Sequence, residues 1–600
     1  MSATDFSDPA VESVAWDLAP LLDGTGEDAI DSMLDEAQRR ADAFAETYAG
    51  RVAQLDGAGL VAAMRDLAEL QELAGRVGNF AMLEFSTDTA DPVRGARLAK
   101  VQERGTAIET KLIFFDLEWA ALEDDRAEEL LAADGLDFAR HYLRASRRYR
   151  PHLLSEPEEK ILAEKSLSGS SAWGRLFAEQ TSAIEVRIDD AEVALEQALS
   201  RLFSPDREVR RTTAEAVTAA LEPGLRTRAF IFNTLLADKM VDDRLRHHPH
   251  WLHARNLSNE ASDESVEALV QAVRKRYESA RRWYRLKAKL LGVERLADYD
   301  RMASVTDSDE PITWDDARDL VLDSYGGFSG ELGDLARRFF DESWIDAPVR
   351  PGKRGGAFCA YTVPSVHPYV MLNWTSRRRD VLTLAHELGH GVHAALGARQ
   401  GVFHMSTPLT LAETASVFGE TLVFGRLLDQ APSAESRLGL LAESIEGSIA
   451  TVFRQIAMNR FEHLVHTSRR EEGELSVERF GALWRESQEE MLGDAVEVTE
   501  GYERWWSYVP HFINTPGYVY AYAYGQLLAL SVYGQYEAQG ADFVPAYLEL
   551  LSAGGSKSPE ELGRIVGIDL ADPGFWDSGL DLVERQLEDA EAAARESGRI

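Results

Sequence analysis

Apolar residues recur through the first half of this chain at intervals of three and four, the spacing of one helix face. Ile30, Met33, Leu34, Ala37, Ala41, Phe44 and Tyr48 form one stripe, ended by Gly50. Leu60, Met64, Leu67, Leu70, Ala74 and Val77 form the next. The pattern continues and predicts a mainly α chain, with no fixed-period repeat or low-complexity segment. Ser204-Pro205-Asp206 precedes a long helical run and predicts a boundary near residue 205. Thr306 to Pro311 and Asp346 to Gly356 read as polar loops.

One short run breaks the helical period. Tyr369-Val370-Met371-Leu372-Asn373-Trp374 is apolar and β-favouring, and lies between His367-Pro368 and Thr375-Ser376. It reads as one of few strands. Two readings stay open: a sheet edge that pairs with an extended peptide, and an ordinary core strand. Gly355-Gly356 upstream suggests a mobile hairpin or a close backbone approach. Asn373, Gly355 and Gly356 are the candidate substrate-binding positions.

The chemistry enters just after this strand. His386-Glu387-Leu388-Gly389-His390 reads H-E-x-x-H and continues the helical segment Asp380 to Ala385. Residues four apart on a helix lie about 40° apart around its axis, so both imidazoles face one way. Two neutral imidazoles so placed can hold one zinc at roughly 2.0–2.1 Å. Glu387 faces the same side obliquely, where it can act as base on a metal-bound water without occupying a coordination position. The competing reading is a surface helix with two solvated histidines.

A catalytic zinc takes a third protein ligand and keeps one position open. A third histidine in the pattern H-E-x-x-H-x-x-G-x-x-H would need glycine at 393 and histidine at 396. The chain carries His393 and Leu396 instead. His393 lies about 10 Å of rise beyond His386, too far to share one ion, and reads as a packing residue. The other source is a carboxylate on a following helix. Thr407-Pro408 opens one, with Leu411, Ala415, Phe418 and Leu422 as its apolar stripe. Glu413 and Glu420 lie two turns apart on one face. Either could bind the metal while the other orients a ligand imidazole, and spacing leaves the choice open.

Two blocks, His386 to His393 and Glu413-Thr414-Ala415-Ser416-Val417-Phe418-Gly419-Glu420, resemble the thimet oligopeptidase and oligoendopeptidase F family of zinc metallopeptidases. Gly352 to Cys359, Tyr369 to Trp374, and the block from His511-Phe512 to Tyr522 resemble its oligoendopeptidase F branch. The resemblance spans about 350 to 530. It implies Glu413, first glutamate of the E-x-x-S-x-x-x-E block, as third zinc ligand, with Glu420 behind. It implies oxyanion donors at His511, Tyr518 and Tyr522, and leaves Tyr524 beside Gly525, where some members carry a further catalytic tyrosine. It implies a two-lobed helical fold with a deep substrate channel and a small β-sheet beside the zinc helix. Residues 1–204 would be the N-terminal helical region and 205–600 the catalytic region. The activity implied is hydrolysis of internal bonds in short unstructured peptides. Alternatives are a dipeptidyl carboxypeptidase of the same superfamily and a catalytically silent peptide-binding protein.

The segment Tyr502 to Tyr524 is dense in aromatics, and core is the reading favoured for Trp505 and Trp506. Its tyrosines are harder to bury, because each buried hydroxyl needs a partner. Composition narrows the partners. Six hundred residues, 45% of them hydrophobic, can bury a large core and form two or more lobes. Against 64 Lys and Arg stand 101 Asp and Glu, a net charge of −37 that argues against nucleic acid. One cysteine, Cys359, excludes an internal disulfide framework and fits a reducing cytoplasm. The polar, acidic start from Met1 to Pro9 lacks a basic-then-apolar signal, and no run is long enough to span a membrane. The expectation is therefore a cytoplasmic enzyme with peptide substrates and one zinc per chain, of undetermined oligomeric state.

Overall fold

All seven residues of the first predicted stripe are buried on one helix, α1 (Gly26–Tyr48). The second stripe lies on α2 (Gly57–Thr87), where all but the half-buried Ala74 are buried. Asp56 starts α2 by accepting from the Gly59 amide at 2.8 Å. Asp91 and Pro92 start α3 (Pro92–Ala121), which packs on both preceding helices. The computed structural model describes residues 8–166, 168–305, 311–570, 572 and 574–600. Residues 1–7 of the acidic start and 306–310 of the polar loop at Thr306–Pro311 lie outside these. The fold is mainly α, and no helix among the described residues is long and apolar enough to cross a membrane.

The chain divides into two compact units, each assembled from separate stretches. The first comprises Met1–Arg150, Asp309–Asp429 and Val532–Leu570. Its helices α4 (Trp314–Phe328) and α5 (Gly330–Asp341) are capped by the side chains of Thr313 and Ser329. A three-stranded sheet follows: β1 (Ile345–Pro348), β2 (Phe358–Ala360) and β3 (Tyr369–Trp374), in spatial order β1-β3-β2. β3 pairs parallel to β1 and antiparallel to β2. The edge reading of Tyr369–Trp374 is therefore overturned. This strand is central, and Tyr369, Val370, Met371 and Leu372 are buried, because a run apolar on both faces is covered on both. Among the described residues the edge beyond β3 is β2. Asp346, expected in a polar loop, is instead buried in β1, where Lys353 Nζ reaches its Oδ1 at 2.5 Å.

Helix α6 (Arg378–Gly397) packs on β2 and β3, and α7 (Leu409–Asp429) packs along α6. Asp380 sets the start of α6, accepting from the Thr375 amide at 2.7 Å and the Arg377 amide at 3.1 Å. Two glycines let α6 pack closely. A Cβ built on Gly389 would stand 2.5 Å from Ser416 Cα of α7, and one on Gly391 would stand 2.4 Å from the Phe339 ring of α5. Gly389→Ala is expected to cost about 1–3 kcal/mol through overpacking, read as a lower urea midpoint. An unchanged midpoint would show that the helices can part without loss.

The second unit comprises Pro151–Ser308, Gln430–Ser531 and Ala571–Ile600. Its core gathers Phe232, Phe461, Phe480, Trp484, Trp506 and Phe512, supplied by helices Leu225–Leu245, Arg454–Glu472 and Val477–Leu492 and the aromatic segment. Ser204-Pro205-Asp206 is the turn before helix Arg207–Leu221, and it falls inside this unit.

Candidate active site

Helix α6 presents His386 and His390 from successive turns, their ring centroids 5.0 Å apart. The close approach at Gly389 brings Glu413 of α7 opposite both. Glu413 Oε2 lies 3.4 Å from His386 Nε2 and 3.6 Å from His390 Nε2. These separations suit ligands of one ion. Two donors held roughly 2.1 Å from a tetrahedral zinc stand about 3.4 Å from each other. Glu420, two turns along α7, meets the other side of the first ring, with its Oε2 3.2 Å from His386 Nδ1. Tertiary packing thus separates the two glutamates that spacing alone could not.

Further side chains hold these in place. Ser416 Oγ donates to Glu413 Oε2 at 2.7 Å. Tyr361 Oη lies 3.4 Å from His390 Nδ1, and the Ala412 carbonyl also bonds that ring. Tyr325, fully buried, donates to the Ala385 carbonyl at 2.7 Å, one residue before His386. Ser416 is legible from sequence, since i and i+3 share a helix face. Tyr361 and Tyr325 carry no local signal; only chain folding brings them here. His393 is buried and is not part of the converging group.

The charges compete strongly. Burial pushes the Glu387 carboxyl up to about 7, with His386 opposing and Glu413 reinforcing the rise. Burial works against a charged His386, yet the bond to Glu420 and the charges of Glu413, Glu420 and Glu387 outweigh it, raising that ring to about 9. His390 moves oppositely, to about 4. Burial lowers it first, the Glu413 charge opposes, and the His386 charge lowers it further. Glu413 is itself buried, but the two histidines and Ser416 hold it below the usual carboxyl range.

Cys359 lies on β2, half-buried. Burial and then the Glu387 charge push its thiol well above the usual range, which disfavours the thiolate. Asn373 does not offer a free amide. Its Nδ2 donates to the carbonyls of Arg354 at 3.0 Å and Gly356 at 2.7 Å, fixing the turn into β2. Gly356 has φ +82° in that exposed turn, where glycine is unstrained.

His511, Tyr518 and Tyr522 lie in the second unit and meet one another there. His511 Nε2 is 3.2 Å from Tyr522 Oη, and the two tyrosine rings are 5.1 Å apart, edge to face. All three are half-buried, whereas Tyr520 and Tyr524 are fully buried. Tyr524 packs on Trp576, with centroids 4.7 Å apart, and Trp505 and Trp506 are core. Burial holds the His511 ring below its ordinary pKa.

Residues 330–582 match the model of peptidase family M3, and residues 118–185 match that named Oligopeptidase F. Oligopeptidase PepF of Bacillus subtilis is 26% identical over 532 residues, 87% of this chain and 79% of that protein. An oligoendopeptidase F homolog of Lactococcus lactis is 24% identical, covering 97% of each. Among solved structures, one from Chlamydophila abortus superposes with a TM-score of 0.85 at 22% identity, over 96% of this chain and 98% of that one. Oligoendopeptidase-F of Enterococcus faecium gives 0.70 at 22% identity, over 94% and 98%. His386, His390, Glu413, His511, Tyr518 and Tyr522 all fall inside the longer matched segment, and through that match and these relatives the chain is similar to peptidases of family M3 and, among them, to oligoendopeptidase F proteins.

Proposed function

We propose that this protein is a zinc-dependent oligoendopeptidase that hydrolyses internal bonds of short, unstructured peptides. The observation that carries this reading is the convergence of His386 Nε2, His390 Nε2 and Glu413 Oε2 on one point, with buried Glu387 beside them. These three residues would hold the ion, and two imidazoles with one carboxylate suit a catalytic zinc. When bound, zinc supplies Lewis acidity to the attacking water and to the scissile carbonyl. Glu387 takes the proton of that water and passes it to the leaving amine. Glu420 and Tyr361 keep the two imidazoles turned with Nε2 inward. The single cysteine suits a reducing compartment, and we assign the protein to the cytoplasm on that ground.

His511, Tyr518 and Tyr522 are assigned donation to the oxyanion, on the motif resemblance and on their grouping as half-buried donors. Tyr518→Phe is expected to lower kcat about 10²–10³-fold and to change KM less. Steady-state kinetics with kcat unchanged would return Tyr518 to packing.

The edge of β2 beside α6 is the assigned seat for substrate backbone. Strand addition reads main chain and tolerates varied side chains, but needs an extended, unpaired segment. An internally quenched peptide should therefore be cut by the zinc-restored enzyme, and the same sequence in a strand of a stable folded domain should not. No cleavage of the free peptide would overturn the enzyme reading. Products confined to C-terminal dipeptides would replace it with a dipeptidyl carboxypeptidase.

A further inference from the structure

Four of the chain's 14 histidines fall between residues 247 and 253: His247, His248, His250 and His253. The chain leaves helix Leu225–Leu245 there through His247, whose φ of +59° turns it sharply. Helix His253–Ser258 follows. His152, far off in sequence, joins them in the second unit. We propose that His152, His248 and His253 form a second transition-metal site, structural in role, that binds zinc or a similar divalent ion.

One donor atom from each of these three rings lies within 4.8 Å of the other two. Their centroids are 4.2, 5.2 and 5.5 Å apart, close to the 5.0 Å of the His386–His390 pair. The outer bonds are those of metal-binding imidazoles, which typically donate their second N–H to a carbonyl or carboxylate. His152 Nδ1 is 2.8 Å from the Arg246 carbonyl, so it donates there and keeps its lone pair on Nε2. His253 Nδ1 is 3.1 Å from Asp263 Oδ2. Asp263 is held in turn by Asn256 Nδ2 at 2.7 Å and His250 Nε2 at 2.9 Å. His248 supplies the remaining sign: its Nδ1 is buried without a hydrogen-bond partner among the described residues. Burial, then His152, Lys239 and His253, lower that ring to about 4, so it is the neutral, ligating form at pH 7.

Packing of neutral rings would explain the stacking of His152 on His248. It would not explain a buried nitrogen left without a partner on His248 beside two rings whose Nδ1 atoms are both engaged. Imidazole donors select zinc, copper, nickel or cobalt over calcium and magnesium. An ion here would tie residue 152 to the 248–253 segment. The helix that follows, His253–Ser258, reaches the tyrosine loop: its Arg255 guanidinium lies 5.8 Å over the Tyr518 ring.

The test uses full-length protein, stripped with chelator and titrated with Zn²⁺ alone, with metal content read after gel filtration. The His386→Ala/His390→Ala double variant should still bind one zinc per chain and melt higher with zinc than without. Adding His248→Ala should abolish both effects, while the stripped triple variant melts as the stripped double variant does. In the double variant Co²⁺ should give a visible d–d band that the triple variant lacks. A double variant that binds no zinc at micromolar concentration would overturn the proposal, as would a triple variant that binds it equally well. None of these readouts depends on peptidase activity, so the outcome stands apart from the function proposed above.

Discussion

Glu387→Gln should lower kcat by about 10²–10⁴-fold, the range supplied by a positioned general base, and leave zinc content unchanged. The carboxylate sits one residue from His386 and is buried within electrostatic reach of His386 and Glu413. Glutamine keeps the volume and an acceptor oxygen but cannot take a proton, so the fold and the ligand set survive while the chemistry does not. The check is kcat on a quenched peptide together with metal analysis of the same preparation. Full activity in the zinc-loaded variant would remove Glu387 from the mechanism. Lost zinc would mean that Glu387 is a ligand.

Glu413→Ala should lose its zinc on dialysis and its activity with it. Glu420→Ala should keep a weakened site, with affinity down about 10–100-fold, the usual cost of losing a ligand's supporting partner. The difference follows from where the two carboxylates lie. Glu413 Oε2 stands against the Nε2 atoms of both rings, at 3.4 and 3.6 Å, and its removal takes away one of three converging donors. Glu420 reaches only Nδ1 of His386, at 3.2 Å, and its removal frees that ring to turn. Zinc affinities of the two variants in the opposite order would exchange their roles. Equal losses would mean that the site fails whenever either carboxylate is absent.

Much of the first unit's helix pattern and the core of its candidate site were legible in the chain. The stripes on α1 and α2 could be read because a helix must bury one face, and the burial interval follows from 3.6 residues per turn. His386, Glu387 and His390 sit within five residues, so helix geometry alone set their mutual placement. Glu413 and Glu420 were both legible as candidates for the same reason, since seven residues return to one face. Three things were decided only by tertiary structure. Contact between α6 and α7 at Gly389 distinguished the glutamates, because a helix face does not specify what crosses it. Strand order made β3 central, since apolar pattern reports burial but not neighbours. Tyr361, Tyr325 and the gathering of His152 with His248 and His253 join residues 29 to 101 positions apart. No local spacing encodes such contacts; they exist only when the intervening chain has folded.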